Sequence, residues 1–333
     1  MNPYVIPGLE ATPYAPLCPH LDKDHRRFYV PVDDTEQQFR HFKQTMNSVR
    51  WLTERGRLVV VSGEPGCGKT SLINRCAAWL RDELAEVQLK GEIFTLTDSG
   101  TPSQPIMLRM EQVVTDLVDN LRDERRGVSP QHIDLLERRI REIEDIEETS
   151  DRQIRHLAKV DRVYRNLHDA LPEDRIAIVL LPPSADLVDE IKSYADFVRH
   201  PRIVFFAETD YVEAVQRTWP TMVTRDRMAP ILLKVGQLNA RDSWTYTDAR
   251  QGSYSGDGSF PKVSEDTILR VTRKGAWSIG GLHRVLHGVY EELASQVAAE
   301  GSLPLHEVSF ERIFEHIAGY FIQSMLSKPG TKS

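Results

Sequence analysis

The sequence lacks any long apolar stretch, and no run approaches the roughly 20 residues that a helix needs to cross a bilayer. It also lacks a leader pattern. The N-terminus, MNPYVIPGLE, has no basic segment followed by an apolar one, so no signal peptide is expected. Cysteine is scarce: Cys18, Cys67 and Cys76 are too few for a disulfide framework, and their spacing matches no zinc pattern. That usage suits a reducing compartment, and a cytoplasmic location is expected. Positive charge is not in excess either. Lys and Arg total 42 against 49 Asp and Glu, for a net charge of −7, which is not the bulk footprint of a chain that lives on nucleic acid. A local basic face stays compatible with that balance. No internal repeat is visible. What remains is 333 residues with 40% hydrophobic and 27% charged content, the make-up of one large or two modest globular domains.

Punctuation along the chain divides it. Pro3, Pro7, Pro13, Pro16 and Pro19 mark residues 1–33 as a Pro-rich arm, either laid on the body or a partner or loosely ordered. Residues 34–54 read as a helix, with Phe39, Phe42, Met46, Val49 and Leu52 at three- and four-residue spacing. Five short apolar runs then read as strands: 58–61, 92–96, 176–181, 203–206 and 231–233. Runs of this kind, alternating with helices, predict an α/β fold built on a parallel sheet. Between the second and third strands a helical insertion is expected at about 107–170. Its first helix carries Met110, Val113, Val114, Leu117, Val118 and Leu121, and Ile133, Leu136, Ile140 and Ile143 mark a second. The heptad pattern is too short to specify a coiled coil, so a helical hairpin packed on the domain is the plainer reading. Gly- and Ser-rich residues 249–262 read as a loop. Helices are expected beyond it near 264–273, 281–298 and 309–325, the last with Phe310, Ile313, Phe314, Ile317 and Phe321 on one face.

The most specific motif is Gly63-Glu64-Pro65-Gly66-Cys67-Gly68-Lys69-Thr70, followed by Ser71. It matches the G-x-x-x-x-G-K-[ST] phosphate loop, directly after an apolar strand and at the start of a helix. Glycines let the backbone wrap round phosphates with its N–H groups inward, and the helix N-terminus adds positive potential. Lys69 is the residue to reach the β- and γ-phosphates, and Thr70 the one to ligate Mg²⁺. In the empty loop the Lys69 side chain is expected to be exposed. Cys67, among anion-attracting N–H groups, is expected to have a lowered pKa and a reactive thiolate. Cys76 is expected to face the core, and Cys18, in the arm, to react freely. The expected ligand is ATP with Mg²⁺; no Asn-Lys-x-Asp guanine signature is present, and GTP stays open as the alternative.

A companion acid normally stands at the end of a neighbouring strand to hold the magnesium through water. Here 176–181 ends in Pro182-Pro183, where an Asp-Glu pair would sit. Glu208 is the preferred substitute because its strand is expected beside that of the phosphate loop. Asp186, Asp210 and Asp98 are the alternatives.

In this order the motifs resemble those of the AAA+ ATPases, of the replication-initiator and transposition-regulator or STAND-like groups, over about residues 35–325. The resemblance implies a P-loop NTPase core at 34–248 and a small all-helical lid at 249–333. It makes 176–181 a Walker B strand without its acids, and Glu208-Thr209 the sensor 1 position. It also implies that Arg225 or Arg227 is an arginine finger reaching a neighbouring subunit. Gly280-Gly281-Leu282-His283-Arg284 is similar to the family's lid turn, with His283 in the usual proline's place and Arg284 as sensor 2. The function implied is an ATP-binding switch or slow ATPase that couples nucleotide state to self-assembly or partner binding. Two alternatives stand beside it. One is a nucleic-acid-associated ATPase of transposition, replication or defence, against which stand the acidic balance and the short stretch after the lid, too short for a winged-helix reader. The other is a P-loop small-molecule kinase, against which stands the lid-like C-terminal region.

Overall fold

The computed structural model describes residues 2–96, 104–123, 128–144, 152–183, 187–197, 200–215, 217, 230–253, 260–273, 275–301 and 307–326. It divides into two compact units. One holds residues 37–63 and 72–234, the other residues 1–36, 64–71 and 235–333.

The first unit is built on five parallel strands: β1 (Arg57–Ser62), β2 (Lys90–Thr95), β3 (Arg175–Leu180), β4 (Ile203–Thr209) and β5 (Ile231–Lys234), in the order β2-β3-β4-β1-β5. All five correspond to the apolar runs read from the sequence. In β1 every residue is buried and in β3 all but the first, as central strands covered on both faces require. Helix α1 (Thr35–Thr45) and helix α2 (Lys69–Glu86) flank β1 in the chain. The single helix expected over 34–54 is broken: α1 stops at Thr45, and a separate 3₁₀ turn covers Val49–Thr53. Asn47-Ser48 separates the two, residues that favour turns over helix interiors.

Among its described residues the insertion contains three helices, not a hairpin of two: α3 (Ile106–Asp123), α4 (Pro130–Glu144) and α5 (Arg152–Ala170). Val113, Leu117, Leu136, Ile140, Val160, Val163 and Leu167 are buried in one core with Leu58, Val60, Val179 and Phe205 of the sheet. Each such side chain contributes about 1.5–3 kcal/mol on burial. Phe205 meets Tyr164 edge-on at 5.3 Å and Tyr194 of α6 (Leu187–Phe197) at 5.2 Å. Nearby, Arg109 is almost fully buried. It donates to the Pro183 carbonyl at 2.7 Å and lies 3.7 Å from the buried Glu190 carboxylate. At the sheet's other side β5 is an edge strand, and the Lys234 N–H donates to Gln38 Oε1 of α1 at 3.0 Å.

The second unit carries α7 (Ala240–Gly252), α8 (Glu265–Thr272), α9 (Ile279–Glu300) and α10 (Phe310–Leu326). Asn239, Ser264 and Ser278 cap α7, α8 and α9, each accepting a backbone N–H inside the first turn. Helix α7 went unread because it has no apolar stripe: it buries Ser243, Thr247 and Gln251 beside Tyr246. The N-terminal arm belongs to this unit. Tyr4 and Val32 are part of the lid core with Tyr246, Leu282, Leu286 and Tyr290. Ile6, Leu17 and Phe28 form a small cluster of their own. A 3₁₀ turn, Lys23–Phe28, is capped by Asp22. Of the two readings of the arm, the packed one holds, because its apolar side chains supply buried area the lid helices lack.

No described helix is long and apolar enough to cross a membrane.

Candidate nucleotide site

Strand β1 ends at Ser62, and the Gly63 N–H donates to the Thr209 carbonyl of β4 at 3.1 Å, fixing where the loop leaves the sheet. Residues 64–68 then turn through Gly66 and Gly68, both at φ +79°, into α2 at Lys69. Side chains rarely adopt that φ. Space excludes one as well, since a Cβ on Gly66 would lie 2.7 Å from Ser278 Oγ. Glu64, Pro65 and Gly66 are exposed, and Gly68, Thr70 and Ser71 are half-buried. This is a concave backbone turn at a helix N-terminus, the arrangement that holds phosphate oxygens. Lys69 and Thr70 stand at its helix end, a cation and a hydroxyl beside the turn.

Two side chains in the loop differ from expectation. Lys69 is buried, and its ammonium donates back to the Glu64 carbonyl at 3.0 Å. Cys67 is fully buried, and burial pushes its thiol up to about 11, with Asp33 adding to the rise against the opposing pull of Lys69. The helix N-terminus does not activate it, because desolvating a thiolate costs more than the dipole returns. Cys76 is buried as expected, and its pKa is raised by the same cause. Cys18 is not free either: it is half-buried and pushed up to about 11 by burial. In the native protein at pH 8, Cys67 and Cys76 should therefore resist alkylation until the chain is unfolded. Mass mapping after brief iodoacetamide treatment checks this, and rapid labelling of Cys67 would mean the loop is more open than described.

The lid reaches this loop. The Gly280 N–H, in the first turn of α9, donates to the Gly66 carbonyl at 2.9 Å, and a Cβ on Gly280 would lie 3.0 Å from that same oxygen. Arg284 stands one turn further along α9 on the same face, four residues on. It is exposed, and its guanidinium lies over the Tyr14 ring at 5.1 Å. The arm also reaches the loop. The Leu17 N–H donates to Ser71 Oγ at 3.1 Å, and the Tyr29 hydroxyl donates to the Ser71 carbonyl at 2.7 Å.

Between arm and lid lies Asp33, buried, at φ 59° and followed by Asp34 at φ 55°. One Asp33 oxygen accepts from the Gly236 N–H at 2.7 Å, while the other is buried with no hydrogen-bond partner among the described residues. Burial lifts this carboxyl to about 7. His283, at the expected proline position, makes two bonds. Its Nε2 faces the Pro13 carbonyl at 3.0 Å and so carries the proton, while Nδ1 accepts from the Tyr246 hydroxyl at 2.6 Å. Burial holds it down at about 4, so it is neutral.

Glu208 lies in the other unit, half-buried, opposite Val61 in the β1–β4 register, with Thr209 opposite Ser62. Thr209 is buried and its hydroxyl accepts from the Tyr211 N–H at 2.8 Å. Asp210 is exposed. Arg225, Arg227, Asp186 and Asp98 lie outside the described residues. Leu181 and Pro182 are buried after β3 and Pro183 is exposed. The arm contacts on Ser71, and the place of Asp33, carried no pattern in the sequence. Ser278 did, as a serine before a helix start.

No protein-family model and no curated protein matches the chain. Solved structures do. The chain aligns over 92% of its length with 74% of the ORC2 protein of Aeropyrum pernix, solved as ADPNP-ADP complexes, at a TM-score of 0.51 and 13% identity. It aligns over 88% of its length with 67% of the ORC1 protein of the same organism, solved in complex with DNA, at a TM-score of 0.54 and 12% identity. A third likeness, to CDC6P from Pyrobaculum aerophilum, covers 91% of this chain and 74% of that one, at a TM-score of 0.52 and 13% identity.

Proposed function

We propose, from the AAA+ fold of the replication initiators that this chain has, that it is an ATP-binding switch with slow hydrolysis. The observation that carries the reading is the phosphate loop at the start of α2 with the first turn of the lid helix hydrogen-bonded to its Gly66 carbonyl. A ligand seated in that loop touches the lid as well as the core motif, so its presence and charge are felt by a second element. In this reading the arm (1–33), the core (34–248) and the lid (249–333) act as three parts. Residues 63–71 cradle the phosphates, and Thr70 ligates Mg²⁺. Arg284 answers the γ-phosphate, and Arg225 or Arg227 reaches a neighbouring copy or partner protein.

Slow turnover follows from the chemistry at the end of β3. A proline has no side-chain carboxylate, so neither Pro182 nor Pro183 supplies the oxygens that hold a magnesium-bound water or the base that takes its proton. The expected rate lies well below the roughly 1–10³ s⁻¹ typical of enzymes. Any turnover that remains should stop in Glu208→Gln. Turnover that is brisk and survives both Glu208→Gln and Asp210→Asn would place the catalytic acid elsewhere. The switch itself is tested by measuring particle mass with and without Mg-ATP while following phosphate release. A mass that stays constant in the presence of bound ATP, and with candidate partners added, would remove the assembly part of the reading.

A nucleic-acid-associated ATPase is the second reading. One observation favours it: a structure with this fold, the A. pernix ORC1 protein, was solved in complex with DNA. Binding to duplex DNA at two salt concentrations separates the readings, since phosphate contacts give a steep salt dependence.

A further inference from the structure

We propose that residues 13–17 of the arm are a latch, closed by Tyr14 on Arg284 and opened when the γ-phosphate of ATP takes the guanidinium away. The proposal rests on the nucleotide-binding reading above and adds a regulated element to it.

Residues 13–17 of the arm touch both of the unit's nucleotide motifs. At the phosphate loop, Ser71 holds Leu17 through its hydroxyl at 3.1 Å and Tyr29 through its carbonyl at 2.7 Å. Tyr29 also lies 3.4 Å from the Leu17 carbonyl, so both contacts bear on the same stretch of arm. At the lid turn, His283 donates to the Pro13 carbonyl at 3.0 Å. The Tyr14 ring lies under Arg284 at 5.1 Å and edge-on to His287 at 5.4 Å. A segment of a few residues thus joins the first turn of α2 to the first turns of α9.

Arg284 has two uses for its charge in this place. It rises from the face of α9 that carries Gly280, and Gly280 is bonded to the loop at Gly66. A terminal phosphate held in that loop would lie near the start of this same face. The contact with Tyr14 is the weaker competitor, because the ring is 50% exposed and a cation over a wet aromatic face gains little. A guanidinium on a doubly charged phosphate gains two parallel charge-assisted bonds. ATP therefore opens the latch, and ADP, with no γ-phosphate, leaves it closed. The neutral His283, tied on both ring nitrogens, keeps Pro13 as the pivot. Residues 14–17 and the adjoining Cys18 come away.

Cys18 reports the opening. It is half-buried with the arm in place, and its N–H is bonded to His25 Nδ1 at 2.9 Å. The experiment measures alkylation of Cys18 by peptide mass mapping, in the full chain, without nucleotide, with Mg-ADP, and with a non-hydrolysable ATP analogue and Mg²⁺. Nucleotide binding is titrated separately under the same conditions. The analogue should raise the Cys18 rate about fivefold or more over the other two states. Tyr14→Ala should raise it without any nucleotide, and Tyr14→Phe, which keeps the ring, should behave as the parent does. Equal Cys18 rates in the three states, with binding confirmed by the titration, overturn the latch and leave the function standing. A parent-like rate in folded Tyr14→Ala overturns it too. Absence of nucleotide binding in the titration overturns the function and the latch together.

Discussion

Lys69→Ala should lower triphosphate affinity by about a hundredfold or more, the effect of losing charge-assisted bonds to phosphate from an enclosed cation. The lysine is buried and bonded to the Glu64 carbonyl, so alanine also removes packing along its methylene stem. Lys69→Met keeps most of that stem and removes the charge. The two variants should therefore lose affinity alike, while Lys69→Met melts closer to the parent. Calorimetric titration with ATP, alongside thermal melts, separates the contributions. Parent-like affinity in a folded Lys69→Met protein would end the assignment of residues 63–71 to phosphate binding.

Arg109→Met should be the most damaging single change to the first unit, at about 3–5 kcal/mol, because it strips the cation from beside a buried carboxylate. Arg109 and Glu190 are each about 2% exposed, and Arg109 also holds the Pro183 carbonyl. The pair fastens α3 to α6 and to the turn after β3. Replacing both members, Arg109→Met with Glu190→Leu, removes the buried carboxylate along with its cation and should recover most of the loss. Urea unfolding of the parent, the singles and the double variant gives the coupling between the two sites. A loss under about 1 kcal/mol in Arg109→Met alone would show that Glu190 is neutral or well served by other groups.

The sheet was legible because parallel strands buried on both faces are short apolar runs, as in Leu58-Val59-Val60-Val61. Strand order was not written there. Glu208's strand was expected beside the phosphate-loop strand, and the β1–β4 register supplies the residue opposite it. The three lid helices with apolar stripes were readable, whereas α7 was not, since its buried residues include Ser243 and Thr247. The phosphate loop was legible as a motif, and the state of its side chains was not. Lys69 was expected to be exposed and Cys67 to be activated by the loop's N–H groups. Instead Lys69 is buried against the Glu64 carbonyl and burial raises the Cys67 pKa, neither of which the motif spells out. The arm shows the same limit. Its prolines announce an extended path, but Tyr4 packs with Tyr246 and Tyr290, far away in sequence, where periodicity carries no information, and Leu17 and Phe28 meet Ile6 within the arm at no helical or strand spacing.

The amide of Gln38 has a consequence for handling the protein at high concentration. An edge strand exposes a row of unsatisfied donors and acceptors, and another chain's strand can add to it and seed an aggregate. Among the described residues strand β5 is such an edge, and it is only four residues long. Gln38 takes its last N–H, and the exposed Lys234 adds charge at the same point. An incoming strand would have to displace the amide and bury a lysine at once. Resistance to fibre formation is thus built into the helix beside the edge, and it persists in salt strong enough to screen the chain's net negative charge.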